Sequence, residues 1–219
     1  MKRLGQILLV GALALYGHAA AAQDSDAGAI VARAAEKYRA ITSFRSDFRQ
    51  VIADSMIGTY ESRGQLTQAG ESRLAMRFSD PKGDAIVMDG KYLWVYTPST
   101  TPGQVLRYQI PSDPTYGPNM LAWILTNPTA RYRSRYVRAD AVVGRAVDVI
   151  SMTPLDRSLP FSEAIVWIDQ YDSLPRRIEV REKSGQRRTL VLTGVETGRS
   201  TSDDTFRFDV PTGVRIVDQ

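Results

Sequence analysis

The chain has 219 residues, no Cys, a single His (His18), a net charge of +4 and a pI near 9.4. Without Cys there is no disulfide or thiol chemistry, and with its one His in an N-terminal leader the rest of the chain lacks Ser-His-Asp and Cys-His catalysis and His- or Cys-ligated zinc. A basic pI can signal a nucleic-acid partner, but Lys2 and Arg3 leave with the leader, so the mature charge is two units lower and that partner is not expected.

Residues 1–22 read as a cleaved secretory signal. Lys2 and Arg3 are its basic start, Ile7–Tyr16 its apolar stretch, and Ala20-Ala21-Ala22 fits the small-residue cleavage pattern. The apolar stretch is roughly half of the ~20 residues that a membrane-spanning helix needs. Residues 23–219 then form an exported, soluble chain of a size that suits one domain.

Next, Ser25 or Asp26 can cap a helix over 27–41. Ala27, Ile30, Val31, Ala34, Ala35, Tyr38 and Ile41 recur at three- and four-residue steps and form one apolar stripe. Such a helix packs on a sheet, and whether it also moves as a lid stays open. From Phe44 onward the period is two. Strand signals cover 44–52, 60–67, 73–78, 85–89, 92–96, 105–110, 132–137, 147–152, 163–168, 176–182, 188–195, 205–208 and 214–217. Gly, Pro, Asp and Ser punctuate them, which predicts a mainly β protein with a large antiparallel meander.

Two segments stand out. Ile86–Tyr96, IVMDGKYLWVY, has Asp89-Gly90 between apolar arms, which predicts a type I′ hairpin. Both of its faces are apolar, so the protein or a ligand must cover each. The second segment, 118–128, starts and ends with Pro and is apolar throughout Met120–Leu125. This predicts a short helix that is covered on every side or sits in a greasy opening, reached by a Pro-rich loop from Pro98.

A curled antiparallel sheet has a concave face. Here Phe48, Leu66, Leu74, Met76, Phe78, Ile86 and Trp94 would line it, with two helices to cover it. It is either an ordinary core or a hydrophobic pocket under a helical lid. Arg131, Arg133 and Arg135 alternate with Tyr132, Ser134 and Tyr136, giving a solvated strand face or a basic strip for an acidic partner or anionic headgroups. Ser79–Lys82 matches S-x-x-K, but it ends a strand at a Pro turn, so no catalytic residue is assigned. Asp24 and Asp26 lack an oxygen-rich loop, so no metal site is assigned.

Three groups of residues carry a family resemblance over essentially the whole mature chain. They are Ser43-Phe44…Phe48…Gln50, Asp89-Gly90-Lys91…Leu93-Trp94, and Phe206…Phe208…Pro211…Gly213-Val214. In this order and spacing they resemble the outer-membrane lipoprotein carrier protein family, LolA. The resemblance implies an incomplete antiparallel half-barrel capped by an N-terminal helix and a short central helix. It also implies a periplasmic, non-enzymatic carrier that holds lipoprotein acyl chains in a hydrophobic cavity, uses no cofactor and works as a monomer. Its partners would be acylated lipoproteins, an inner-membrane ABC exporter and an outer-membrane acceptor. Phe48, Leu66, Leu74, Met76, Phe78, Ile86, Trp94, Met120, Leu121 and Trp123 are the expected lipid contacts. Tyr38, Arg73, Arg131, Arg133 and Arg135 are the expected lid or partner contacts. Where the family often has a basic residue followed by Pro, a gapless alignment puts Gly70-Glu71, and Arg73 falls on the opposite strand face from that position. The alternatives are a carrier or sensor of another lipid or glycolipid, and an enzyme on the same fold that uses carboxylates or a tyrosine.

Overall fold

The computed structural model describes residues 13–56, 58–110 and 117–219, with side chains from Asp26 onward. The basic start of the leader and part of the loop before Gly117 lie outside the described residues. One sheet holds β1 (Phe44–Asp54), β2 (Gly58–Ala69), β3 (Arg73–Asp80), β4 (Lys82–Asp89), β5 (Tyr92–Tyr96), β6 (Gln104–Gln109), β7 (Tyr132–Val142), β8 (Arg145–Pro154), β9 (Phe161–Asp169), β10 (Pro175–Glu182), β11 (Arg187–Thr197) and β12 (Arg215–Asp218). Its order is β12-β6-β5-β4-β3-β2-β1-β11-β10-β9-β8-β7. Two meanders, β1–β6 and β7–β11, join where β1 pairs antiparallel with β11. The edges β7 and β12 do not meet, so the sheet is an open, incomplete barrel.

Alternation fixes which side faces inward. In β1, Phe44, Ser46 and Phe48 are buried while Arg45, Asp47 and Arg49 are exposed. Gly64 shows how the wall is shaped. A Cβ there would lie 2.1 Å from the Arg77 carbonyl oxygen and 2.8 Å from the Phe78 Cα. The register of β2 against β3 shifts at this residue, as at a bulge that bends a sheet. Gly64 pairs with both Phe48 and Phe78, and across the gap left by its missing side chain the two rings meet edge-to-face at 5.1 Å.

Three helices cover the inner face: α1 (Leu13–Ala40), α2 (Met120–Leu125) and α3 (Pro128–Arg131). Ala27, Val31, Ala34 and Tyr38 of α1 join all of α2 and the inward residues of most strands in one apolar core. This is the amphipathic stripe read from the sequence. Several local expectations change. The helix runs through Ser25 and Asp26, so neither caps it, because the Ala-rich stretch before them favours helix. Pro128 opens α3 rather than only ending α2. Residues 205–208 are not a strand; a 3₁₀ turn, Asp203–Phe206, is capped by the Ser202 hydroxyl. Among the described residues, the parallel pairing of β12 with β6 is the one departure from the antiparallel meander.

The hairpin at 86–96 is also not type I′. Of its turn residues only Gly90 has a positive φ, +98°. Met88 pairs with Leu93, so the loop is four residues long. Asp89 organises it: Oδ1 accepts the backbone N–H of Lys91 (2.8 Å) and of Tyr92 (2.7 Å), and Oδ2 accepts Trp94 Nε1–H (2.8 Å). Burial alone would raise this carboxyl, but the donors from Tyr92, Trp94 and Lys91 outweigh it and hold it below the usual range.

Candidate functional site

The inner wall is built from alternate residues of neighbouring strands. Phe48, Leu66, Leu74 and Met76 are buried in it, and Phe78 and Ile86 pack against the same core from a half-exposed position. α2 lies on this wall with every one of its residues buried. The expected helix covered on all sides is therefore present, and Met120, Leu121 and Trp123 meet the wall residues there. The Trp123 and Phe161 rings are 5.1 Å apart.

So apolar a helix still has polar ends to satisfy. The Asn119 side chain accepts Ala122 N–H at 3.2 Å, which caps the start, and its Nδ2 donates to the Glu71 carbonyl at 2.9 Å. Beyond the other end, the Thr126 hydroxyl donates to Glu71 Oε1 at 2.9 Å. Trp123 Nε1–H bonds the Gly117 carbonyl (3.1 Å), and the Tyr132 hydroxyl bonds the Trp123 carbonyl (2.8 Å). α2 is thus greasy in the middle and tethered at both ends to one residue, Glu71, in the β2–β3 turn. Gly70 makes that turn at φ +65°, a conformation that disfavours any side chain. This gives a physical reason for glycine where an arginine was expected.

The C-terminal end of α1 meets the same turn. The buried Tyr38 hydroxyl accepts Gln68 Nε2–H, and that nitrogen also donates to the Gly70 carbonyl at 2.7 Å. Burial pushes the Tyr38 hydroxyl far above the ordinary tyrosine range, and pushes Tyr132 up to about 12. Both stay neutral at physiological pH, so neither brings a charge to the helix–sheet contact.

Two expected residues lie elsewhere. Trp94 is on the outer face, packed with Val87, Val105 and Phe208, not on the inner wall. It pairs with Val87, and Ile86 with Val95, so Ile86 and Trp94 face opposite ways. Arg73 also points outward. Its Nη1 donates to Asp203 Oδ1 at 2.7 Å, and its guanidinium lies 5.2 Å from the Phe206 ring centre, away from the helices. Arg133 and Arg135 are exposed on the outer side of the edge strand β7, and Arg131 is half-exposed beside the Tyr132 ring. Sequence reasoning missed Glu71, Asn119 and Gln68. Asn119 had a signal, an N-cap residue just before the apolar run.

An open antiparallel sheet covered by helices is a fold that other proteins share. The family described as "Outer membrane lipoprotein carrier protein LolA" matches residues 39–209. The chain belongs to the LolA family. An outer-membrane lipoprotein carrier protein from Actinobacillus pleuropneumoniae serotype 7 is 27% identical over 220 residues, which is 100% of this chain and 96% of that one. One from Xanthomonas oryzae pv. oryzae is 26% identical over 82% of this chain and 83% of its own. Among solved structures, an uncharacterized conserved protein from Thermus thermophilus shares the fold at a TM-score of 0.56 and 13% identity, over 89% of this chain and 99% of that one. A chain of the Pseudomonas aeruginosa MucA/MucB complex shares it at 0.51 and 18%, over 88% of this chain and 63% of that one. Among the described residues of this LolA-family chain, no helix is long and apolar enough to cross a membrane.

Proposed function

We propose that this protein is a periplasmic carrier of lipoproteins that takes their acyl chains from an inner-membrane ABC exporter to an outer-membrane acceptor. Its leader would be removed after residue 22, leaving one lipid-binding domain at 23–219. In this reading the chains bind where α2 now lies, against Phe48, Leu66, Leu74 and Met76. The observation that supports it most is α2 itself, a six-residue apolar helix buried on all sides yet tethered through polar contacts at its two ends.

Magnitudes favour reversible exchange. Lifting α2 exposes Met120, Leu121, Trp123, Ile124 and Leu125, at about 2 kcal/mol each, on the order of 10 kcal/mol together. A buried acyl chain of about 15 methylenes at ~0.8 kcal/mol each returns roughly 12 kcal/mol. One chain about balances the helix, and two or three exceed it. A carrier must open for cargo and shut without it, and this near-balance allows both.

The activity proposed is non-covalent. Residues 23–219 have no His or Cys, and the two fully buried polar residues beside Phe44 on the inner wall, Ser46 and Gln68, carry a neutral hydroxyl and a neutral amide. The direct test is native mass spectrometry of the protein purified from its own periplasm. Bound acylated polypeptide is expected, and a bound glycolipid would redirect the reading to another lipid cargo. A reproducibly empty protein that also releases no acylated protein from inner-membrane vesicles would sink it.

A further inference from the structure

Two buried polar atoms on the inner wall have no hydrogen-bond partner, Ser46 Oγ and Gln68 Oε1. Their residues are 1% and 2% exposed. Both stand on the inward face: Ser46 lies between Phe44 and Phe48 on β1, and Gln68 pairs with Phe44 and Leu74 on the neighbouring strands. The orientation of the Gln68 amide is fixed. Its nitrogen donates to the Gly70 carbonyl, which can only accept, so the unpaired atom is the oxygen. Leaving such atoms dry and unpaired is unfavourable, and an apolar side chain at Ser46 would avoid it.

Gln68, though not Ser46, also lines a cavity of about 120 Å³ with Tyr38, Arg39, Ser43, Phe44, Gly70 and Glu71. That volume equals about four waters, far too little for acyl chains. One wall of the cavity is the Gly70-Glu71 turn that tethers α2. The same turn carries the Glu71 contacts to Asn119 and Thr126 at the two ends of α2.

Resting on the carrier reading above, we propose that Ser46 and Gln68 form a polar subsite for the ester and amide groups through which acyl chains join the cargo's N-terminus. Gln68 Oε1 accepts an amide N–H, and the Ser46 hydroxyl donates to a carbonyl. The acyl chains fill the site of α2, and the linkage sits at the mouth between the α1 C-terminus and the β2–β3 turn. This sets the depth of the cargo, with chains inside and polypeptide outside.

The test compares three probes on wild type, Ser46→Ala and Gln68→Met. They are a synthetic triacylated lipopeptide, a diacylglycerol capped as its methyl ether so that it has esters but no N–H or O–H donor, and a fluorescent hydrocarbon with neither. Ser46→Ala should weaken the lipopeptide and the diacylglycerol about fivefold and leave the hydrocarbon unchanged. Gln68→Met should weaken the lipopeptide alone by a similar factor. Ser46→Ala should also keep or raise the thermal midpoint, since it removes only an unpaired group. The proposal is overturned if both variants bind lipopeptide like wild type, or if all three probes weaken together. A lower midpoint for Ser46→Ala with unchanged binding would assign the hydroxyl to a structural water instead. Wild type that binds no lipopeptide would overturn the carrier reading, whereas wild-type binding with indifferent variants overturns only the subsite.

Discussion

At the β3–β6 end of the sheet both faces are apolar, and they are covered in opposite ways. The inner face carries α2, whose side chains make no ion pair and which is tethered through Glu71. The outer face of β3–β6 carries the C-terminal segment, which is fixed along its length. Arg73 pairs with Asp203, Arg77 donates to the Arg207 carbonyl (2.9 Å), the Phe208 ring stacks on Trp94 at 5.6 Å, and Arg107 grips Asp218 with two bonds of 2.6 and 2.9 Å. β12 then adds backbone pairing to β6. A cover bonded throughout resists removal, whereas a cover bonded at a few points is freed by breaking those few contacts.

The hardest test of this contrast is Phe208→Ala. The half-exposed ring is the part of the fixed cover that packs on Trp94 and Tyr96, so its loss should cost about 2 kcal/mol of stability. Lipopeptide affinity should stay within twofold of wild type at temperatures where the variant is folded. Chemical denaturation and equilibrium binding read the two quantities separately. A large loss of affinity without loss of folding would show that the outer cover is coupled to the cargo site.

A comparable loss is expected at the fixed rim of the second meander. Asp169 is buried, accepts the backbone N–H groups of Tyr171 and Asp172, and pairs with Arg145 and Arg176. Burial would raise its carboxyl, but the Arg145 bond, those two N–H donors and the Arg176 charge outweigh it and bring it to about 2. Because the folded value lies below the unfolded one, near 4, the unfolded chain takes up the proton first. The stability from this group is complete above pH ~4 and drains away toward pH 2. Asp169→Asn should lose about 2–3 kcal/mol at neutral pH and flatten that acid limb, as followed by thermal melts across pH. Cargo binding should not change, since this network lies on the rim and not under α2.

How far these regions can be read from sequence differs for physical reasons. The strands are legible because one-sided burial imposes alternation, as in Phe44–Arg49. α2 is legible because Pro118 and Pro128 bracket a run too apolar for a surface helix. The facing of Trp94 is masked, because apolar residues on both faces of its hairpin silence the period-two signal. Pair counting still separates Ile86 from Trp94, since a two- or four-residue loop gives the same parity. Phe206 and Phe208 mimic a strand, but Ser202 and Asp204 wind the backbone into a turn that takes in Phe206. The tether is illegible: Asn119 and Glu71 are 48 residues apart, and nothing local marks one for the other.

The tether itself predicts a smaller effect with an opposite sign for binding. Asn119→Ala removes both the cap of α2 and its bond to the Glu71 carbonyl. It should cost about 1–2 kcal/mol of stability. The same change weakens the closed state that competes with cargo, so apparent lipopeptide affinity should rise by about fivefold. Measured together, a drop in stability with a gain in affinity supports a releasable cover. A drop in both would mean that Asn119 helps to hold the cargo-bound form.

The smallest effect belongs to Arg73, and it decides between two roles for a cation beside this turn. Its partner Asp203 is 94% exposed, so the ion pair contributes about 0.5 kcal/mol and the contact with the Phe206 ring a similar amount. Arg73→Ala should therefore lower stability by about 1 kcal/mol or less, with part of that loss disappearing in high salt. Because the side chain faces outward and α2 is held by Glu71, lipopeptide binding and release rates should match wild type. A release rate that changes with Arg73 while Asn119→Ala leaves it untouched would reverse the assignment. Control of the helix would then pass through the strand from the outer face, and the two covers would not be independent.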